Sequence, residues 1–389
     1  MKTLSPRVAV QLAEFAYESL GGTAQRPMVI EPNRVISQHF AFDSQKSSLV
    51  GVTGTVAEHV LKHSTGFGFF GIGRNEGDHA GEVVIAIRGT AGIADTLTDL
   101  HCGLTVGPNN KAVHAGFNRT FDSIKPQLAV LLSKIGSRPV HCVGHSLGGA
   151  LATLAASWIK EKYKIPVKLY TFGSPRVGHS PFAVQAETSL NGVYRAVNRS
   201  DPVPMVPVWP FVHAGNEYRL STSVSLTGAA HKMLGDSPGY IKTASLYPDY
   251  TSMEKGSLVN FSITRLKYVN RHHAYFNAFW AERITSALLT LLRESGKISS
   301  VLAQGAISGT LTLYDVIARA LVEISEISSE YAEDSKGLIG HILNFVGKPG
   351  VKVVDVTYRL AKDALYWMLE KLNKLVKSAI TIAPYIGMS

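Results

Sequence analysis

The stretch CVGHSLGGALATLAA, residues 142–156, decides the fold that we expect for this chain of 389 residues. Gly144, Ser146 and Gly148 form the pattern Gly-x-Ser-x-Gly, which follows a short apolar run and precedes the helical pattern Leu147–Tyr163. A serine between a strand and a helix occupies a strained turn, and glycines two residues to either side let the two elements pack closely. The stretch therefore predicts a nucleophile elbow with Ser146 at its tip.

Apolar runs on both sides of the elbow predict a sheet. We expect strands at 67–72 and 83–88, joined as a hairpin, and further strands at 139–143, Val167–Phe172 and 193–197. These strands alternate with helical patterns, as in proteins whose helices cover a largely parallel sheet. The sequence therefore predicts an α/β fold with a mostly parallel central sheet.

Composition and charge indicate a globular chain. Hydrophobic residues make up 45% and charged residues 17%, which excludes disordered, collagen-like and coiled-coil classes. The net charge of +10 favours anionic partners such as a phospholipid surface or nucleic acid. The two cysteines, Cys102 and Cys142, are too few for a disulfide framework and are expected to be reduced. Because no Walker loop, dinucleotide fingerprint or zinc-finger spacing occurs, we expect no cofactor, no metal and no nucleic-acid partner.

The sequence changes character near Gly296. We expect an α/β domain over residues 1–296 and a helical region over residues 297–389. The helical region ends in a lysine-edged amphipathic pattern at 355–380. This pattern allows two interpretations, namely helices that pack on the α/β domain or an element that docks to a membrane or to a partner.

The start of the chain does not predict a cleavable signal peptide. Its apolar residues recur at helical spacing, and Pro6, Gln11 and Glu14 interrupt any continuous apolar core. No run of 18 apolar residues occurs along the chain, so a membrane-spanning helix is not expected. We therefore expect a protein that stays in the cytoplasm or is exported without a cleaved signal, with at most peripheral contact with a membrane or lipid surface.

Seven motifs occur in order along the chain, namely IAIRGT, VHAGF, VGHSLGGALATLAA, YTFGSPRVG, VNRSDPVPMVP, FVHAGNEY and HHAYF. Together they resemble the class 3 lipases, the fungal-type triacylglycerol lipase family, and we expect a bacterial member. The resemblance implies an α/β-hydrolase fold and a serine hydrolase of lipid carboxyl esters, either a triacylglycerol lipase or a phospholipase A, which acts through an acyl-enzyme. The alternative is a membrane-binding or membrane-perturbing protein, similar to a toxin, whose C-terminal helices carry the activity.

The resemblance also implies a catalytic triad. Ser146 would be the nucleophile, Asp201 the acid and His272 the base, because His272 brings the motif HHAYF into register with the family pattern. His273 is the alternative base. The order Ser, Asp, His along the chain agrees with α/β-hydrolases. Asp201 also precedes a stiff Pro-Val-Pro loop that can hold a carboxylate in place.

Ester hydrolysis passes through an oxyanion that backbone N–H groups must stabilise. One donor follows the nucleophile in sequence, which is Leu147. The resemblance implies Thr90, at the end of IAIRGT, for the second donor. The segment after this motif lacks the Asp-Trp pair of many relatives, so the polar stretch 221–270 is a second candidate for a cover over the site.

Overall fold

The structure, a computed structural model, describes residues 1–21, 31–43, 48–53, 63–89, 103–234, 239–256, 263–307 and 313–382. Within these ranges the strands are β1 (Phe40–Ala41), β2 (Ser48–Thr53), β3 (His63–Gly73), β4 (Val83–Ile87), β5 (Leu104–Val106), β6 (Ala112–His114), β7 (Val140–His145), β8 (Val167–Phe172), β9 (Val193–Asn198), β10 (Glu217–Ser221) and β11 (Glu254–Gly256). The α-helices are α1 (Pro6–Phe15), α2 (Arg34–Ser37), α3 (Ala115–Ser133), α4 (Leu147–Tyr163), α5 (Ser180–Ser189), α6 (Tyr240–Ala244), α7 (Ala278–Glu294), α8 (Ile298–Ile307), α9 (Leu313–Ser325), α10 (Ser329–Phe345) and α11 (Tyr358–Ile382).

A nine-stranded sheet lies at the centre of the described chain. Its order is β1-β3-β4-β7-β8-β9-β10-β11, with β2 also paired to β3. The five strands β4, β7, β8, β9 and β10 pair in parallel. The outer strands β1, β2, β3 and β11 pair antiparallel with their neighbours. The prediction of a mostly parallel sheet of the α/β-hydrolase type is confirmed.

Both faces of the sheet are covered, as the side chains of β4 demonstrate. Val83, Ile85 and Ile87 belong to one hydrophobic core, which includes α3 and α4. Val84 and Ala86 point the other way into a second core, which includes α1. All five are fully buried. A strand between two layers of helices needs apolar residues at every position, which explains the uninterrupted apolar run.

The predicted elements around the elbow agree closely with the structure. Leu147–Tyr163 and Val167–Phe172 are confirmed to the residue as α4 and β8. The strand expected at 139–143 is β7, which continues to His145. The expected hairpin is the antiparallel pair β3 and β4. These elements place the end of β7 in the middle of the parallel part of the sheet, where the elbow begins.

The described residues beyond 296 form the helices α8 to α11. The amphipathic pattern at 355–380 predicts an apolar stripe of Ala361, Leu365, Met368, Leu372, Leu375 and Ala379. In α11 all of these side chains are buried except Leu375, which is half-buried. The buried residues of the stripe share one hydrophobic core with residues of the α/β part, such as Val208 and Trp209. The C-terminal helices therefore pack on the α/β part. None of the helices in the described ranges combines the length and the hydropathy that a bilayer span requires.

Candidate active site

Ser146 lies in the turn between β7 and α4. Its backbone angles, φ 57° and ψ −133°, are uncommon for a residue with a side chain. The two flanking glycines are required by close contacts: a Cβ on Gly144 would overlap the main-chain oxygen of Gly148, and a Cβ on Gly148 would overlap that of Ile87. The tight packing of β7, α4 and β4 therefore holds the serine in a strained elbow.

Two buried side chains form a hydrogen-bonded chain with this serine. His231 Nε2 lies 2.8 Å from Ser146 Oγ, and His231 Nδ1 lies 2.8 Å from Asp201 Oδ2. Ser146 is 2% exposed, and the other two are fully buried. With Nδ1 protonated and donating to the carboxylate, Nε2 carries the lone pair that can accept the serine proton. The three side chains have the geometry of a nucleophile, a general base and an orienting acid.

The histidine at the serine differs from the one expected from the sequence. His272 and His273 are exposed in the 3₁₀ turn Tyr268–His273, and His272 Nδ1 lies 3.2 Å from the main-chain oxygen of Val269. The histidine that bonds both the Ser146 hydroxyl and the Asp201 carboxylate is His231 instead. The prediction of His272 as the base, and of His273 as its alternative, is therefore wrong for this geometry.

His231 lies in the polar stretch that we considered only as a cover for the site. It ends the 3₁₀ turn Gly228–His231, and the N–H of Thr227 anchors this turn by donating to the main-chain oxygen of Ser200 at 3.0 Å. Because Ser200 precedes Asp201, this bond holds the turn against the loop that carries Asp201, which we call the acid loop. The sequence signal was weak, because His231 is one of five histidines after Asp201 and has no strand or helix pattern around it.

Asp201 accepts hydrogen bonds on both carboxylate oxygens. Besides His231, the Tyr240 hydroxyl donates to Oδ2 at 2.6 Å, and the Val203 N–H donates to Oδ1 at 2.9 Å. Burial and the Asp201 charge raise the pKa of Tyr240 well above its usual value, so the phenol stays protonated and remains a donor. A Cβ on Gly173, at φ 56°, would lie 2.6 Å from Oδ2, so the end of β8 approaches the carboxylate too closely for a larger residue.

His145, the residue before the serine, connects the elbow to the base. Its Nε2 lies 2.8 Å from the main-chain oxygen of His231, and its Nδ1 lies 2.7 Å from the Tyr17 hydroxyl. Burial, together with the nearby His231 imidazole, holds the pKa of His145 well below its usual value, so the ring is neutral. Nε2–H donates to the carbonyl, and Nδ1 accepts from Tyr17, whose own pKa is raised by burial. His145 therefore fixes the backbone of the residue that contacts Ser146.

Only one of the two expected oxyanion donors has a described position. Leu147 is the first residue of α4, where the N–H has no acceptor within the helix and the helix end favours negative charge. Thr90 lies outside the described residues. Just before it, Arg88 donates from Nε to the Gly66 oxygen at 2.6 Å and from Nη1 to the Gly89 oxygen at 2.8 Å. These bonds secure the end of β4 that leads to Thr90.

One group of side chains in the described ranges has the donor atoms that metals prefer. The buried His79, Glu82 and His141 offer ligand atoms within 4.8 Å of one another. Glu82 Oε2 lies 2.7 Å from both His79 Nδ1 and His141 Nε2, which are N–H···O distances, and the Tyr170 hydroxyl lies 3.2 Å from His141 Nδ1. Because these atoms satisfy one another, the cluster is a buried hydrogen-bond network, and it lies at the opposite ends of the strands from Ser146.

The central part of the chain is similar to a known protein family. Residues 84–211 match the family described as lipase (class 3). A secreted mono- and diacylglycerol lipase 1 of Fusarium solani is 35% identical over 150 residues, which are 36% of this chain and 44% of the relative. A chloroplastic phospholipase A(1) of Arabidopsis thaliana is also 35% identical over 150 residues, 32% of this chain and 34% of the relative. A fungal lipase of known crystal structure is 26% identical, covers 57% of this chain and 80% of its own, and has a TM-score of 0.40. The chain thus spans less than half the length of the two curated relatives.

Proposed function

We propose that this chain, which belongs to the class 3 lipase family through residues 84–211, hydrolyses carboxyl esters of lipids with a catalytic serine. The observation that carries the proposal is the buried hydrogen-bonded chain from Ser146 through His231 to Asp201. The serine follows a central parallel strand and begins a helix, which is the position of the nucleophile in α/β-hydrolases.

Acylation follows from these contacts. His231 Nε2 accepts the Ser146 proton while Oγ forms a bond to the ester carbonyl carbon, and the electron pair of the carbonyl moves to its oxygen. Asp201, 2.8 Å away, stabilises the imidazolium, and the Leu147 N–H stabilises the oxyanion. When the carbonyl re-forms, the bond to the alcohol oxygen breaks, and His231 gives its proton to that oxygen.

Deacylation repeats the same steps with water. His231 accepts a proton from water as the water oxygen bonds to the acyl carbon, and the proton then passes to Ser146 Oγ as the fatty acid leaves. The balance is ester plus water to acid plus alcohol. No step needs a metal or an organic cofactor, because the triad supplies both the base and the acid.

We infer that the substrate is a glycerolipid, with an anionic phospholipid favoured over a neutral glyceride. The names of the two relatives denote enzymes that act on the same kind of bond, the fatty-acyl ester of a glycerolipid. The net charge of +10 favours a surface rich in anionic phospholipid.

The competing hypothesis, membrane perturbation by the C-terminal helices, finds less support in the packing of those helices. The apolar stretch at 337–347 lies mostly in α10, where Leu338, Ile342 and Phe345 are buried. The stripe of α11 is likewise buried against the core. Side chains that already fill the core are not available to enter a bilayer.

Lipid hydrolysis by the purified protein tests the proposal. Wild type, Ser146→Ala and Ser157→Ala are incubated with p-nitrophenyl butyrate and with vesicles of neutral and anionic phospholipid, and released fatty acid is measured by mass spectrometry. We expect release by wild type and a loss of about 10³-fold or more in Ser146→Ala. Ser157→Ala is the matched control, because its hydroxyl is buried in α4 with no hydrogen-bond partner among the described residues. Activity above about a tenth of wild type in Ser146→Ala would overturn the assignment.

A further inference from the structure

We propose that one exposed face of the protein docks to membranes that contain anionic phospholipid. This face, which we name the basic-aromatic face, lies on the 3₁₀ turn Tyr268–His273 and the start of α7. It is defined by the exposed residues Lys267, Val269, Tyr275, Phe279 and Arg283 and by the half-buried Arg271. The proposal rests on the proposed function and names the surface that brings the hydrolase to its lipid.

Three large apolar side chains are exposed within a short segment of this face. Val269 is 71% exposed, Tyr275 is 66% exposed and Phe279 is 42% exposed. Single exposed apolar residues are common, but three within eleven positions indicate an interaction surface. Aromatic side chains are favoured at the boundary between lipid and water, where the ring can enter the acyl region. The apolar part of the face therefore fits a bilayer surface.

Basic residues accompany these side chains, and Glu282, next to Arg283, is the first acidic residue in this part of the sequence. Residues 263–281 contain no Asp or Glu. Lys267, Arg271 and Arg283 form no ion pair with a carboxylate within the described ranges. Instead, Arg271 Cζ lies 4.2 Å from the centre of the Tyr268 ring, and Arg283 Cζ lies 5.5 Å from that of Phe279. Arg271 also donates from Nη1 to the main-chain oxygen of Tyr268 at 3.1 Å. A guanidinium group has five N–H donors, so both arginines retain donors for phosphate oxygens.

The acidic residues of the neighbouring helix α10 are engaged elsewhere. Asp334 accepts from Arg265 Nη1 at 2.8 Å, and Glu333 pairs with Lys336 at 3.7 Å. At the other end of the face, Glu282 pairs with Arg199 at 3.4 Å. The local charge of the face is therefore positive, which complements an anionic lipid surface.

The face is held rigid by the helix beneath it. A Cβ on Gly337 of α10 would overlap the main-chain oxygen of Leu266, and a Cβ on Gly340 would lie 2.7 Å from the Tyr268 ring. The Tyr268 hydroxyl also accepts the N–H of Val353 at 3.1 Å. Since the segment is already packed and bonded, docking needs no ordering of the chain and loses little entropy.

One loop joins this face to the candidate active site. The N–H of Ala278, at the start of α7, donates to the main-chain oxygen of Val224 at 3.0 Å. Three residues further along, Thr227 is bonded to Ser200 and begins the turn that carries His231. A membrane bound at the basic-aromatic face therefore lies against the helix that contacts the loop of the catalytic base.

Charge reversal on the face, compared with charge reversal elsewhere, tests the proposal. The face variant is Lys267→Glu, Arg271→Glu, Arg283→Glu. The control variant is Arg119→Glu, Lys134→Glu, Arg138→Glu, which changes the net charge equally at exposed positions on α3 and in the turn after it. Each protein is sedimented with vesicles of phosphatidylcholine alone and with vesicles in which phosphatidylglycerol replaces part of it.

We expect wild type to bind the anionic vesicles and the face variant to bind them about 100-fold more weakly, since each cation near an anionic surface contributes on the order of a fivefold effect. The control variant should stay within about threefold of wild type, because distant charges are screened. If the face variant and the control variant bind anionic vesicles equally weakly, net charge alone explains the loss of binding, and the proposal is overturned. Wild type that binds neither kind of vesicle would also overturn it, and an acidic protein would then be the occupant to seek.

The apolar part of the face is tested separately. We expect Val269→Ser with Tyr275→Ser to weaken vesicle binding about tenfold or more, because buried apolar area contributes to interfacial affinity. Leu246→Ser with Val106→Ser is the matched control, since both side chains are highly exposed elsewhere. Equal binding by the two double variants contradicts insertion of the face.

Hydrolysis of p-nitrophenyl butyrate, a soluble ester, separates this inference from the proposed function. All face and control variants should hydrolyse it at the wild-type rate, because none of the changed residues contacts the triad. If wild type does not hydrolyse soluble or vesicle esters, the proposed function fails, while the sedimentation result still decides whether the face docks.

Discussion

The Nε2 atom of His145 lies 2.8 Å from the main-chain oxygen of His231. The residue that precedes the nucleophile thus holds the backbone of the base, so the Ser146–His231 distance depends on a bond that no side chain of the triad makes. Burial keeps His145 neutral, as this bond requires, because the ring donates from one nitrogen and accepts from Tyr17 on the other.

Replacing His145 by phenylalanine tests this positioning role. We expect kcat for a soluble ester to fall about 10- to 100-fold with KM little changed, because a small displacement of the base is costly for proton transfer. His145→Gln, which keeps an N–H donor, should recover part of the loss. A full wild-type kcat in His145→Phe, measured on protein that unfolds at the wild-type temperature, contradicts the role.

The Tyr240 hydroxyl donates a hydrogen bond to the Asp201 carboxylate. Tyr240→Phe removes the hydroxyl 2.6 Å from Asp201, whereas Tyr250→Phe removes a buried hydroxyl without a partner in the described chain. We expect Tyr240→Phe to lower the free energy of unfolding by about 1.5–3 kcal/mol, the usual size for a hydrogen bond to a charged group, and to lower kcat. The control should change the free energy of unfolding by less than about 0.5 kcal/mol. Urea denaturation measures the free energy of unfolding of both variants. An equal loss of unfolding free energy in Tyr240→Phe and Tyr250→Phe would refute the prediction.

The sequence predicts well those elements whose pattern is local. The helix Leu147–Tyr163 and the strand Val167–Phe172 are correct to the residue. A strained elbow fixes where the helix begins, and a short run rich in residues that favour strands defines the strand. The stripe of α11 is also correct, since helical spacing alone determines which side chains share a face. The sequence likewise places Ser146 and Asp201 at the ends of strands.

The base could not be found in the same way. Which of five histidines reaches Ser146 depends on how the turn Gly228–His231 folds back onto the acid loop, and tertiary contacts decide that. One is the bond from Thr227 to Ser200, and another is the packing of α11 on this turn. Neither contact leaves a periodic signal in the sequence. The motif HHAYF was misleading because its histidines lie on the surface.

Helix α11 packs against Gly228–His231, the turn that carries the base. A Cβ on Gly228 would lie 3.2 Å from Cα of Ala379, which is fully buried. We expect Ala379→Leu to lower the free energy of unfolding by about 1–3 kcal/mol through overpacking, and to lower kcat because the turn that carries His231 must shift. Ser378→Leu, a larger residue at the exposed neighbouring position, is the control. If both variants match wild type in kcat and in urea denaturation, α11 does not brace the turn.

Acid stability depends on the buried cluster around Glu82. Burial raises the pKa of Glu82, but hydrogen bonds from His141 and His79 outweigh it and hold that pKa at about 2, below the ordinary value of 4.5. A carboxyl with a lowered pKa stabilises the fold fully above pH 4.5 and loses that contribution as the pH falls toward 2.

We therefore expect the free energy of unfolding of wild type to fall by about 2 kcal/mol more than that of Glu82→Gln between about pH 6 and 3. Urea denaturation at a series of pH values measures this difference. Parallel pH profiles for the two proteins would mean that the pKa of Glu82 is not lowered by folding.

Histidine variants assayed on a soluble ester decide whether His231 or His272 is the catalytic base. His231→Ala and His272→Ala are compared with wild type by kcat on p-nitrophenyl butyrate, which needs no membrane. We expect His231→Ala to lose about 10³-fold or more, as removal of a triad member does, and His272→Ala to stay within about twofold of wild type. The reverse result, a large loss in His272→Ala with activity retained in His231→Ala, would contradict the assignment of His231 as the base.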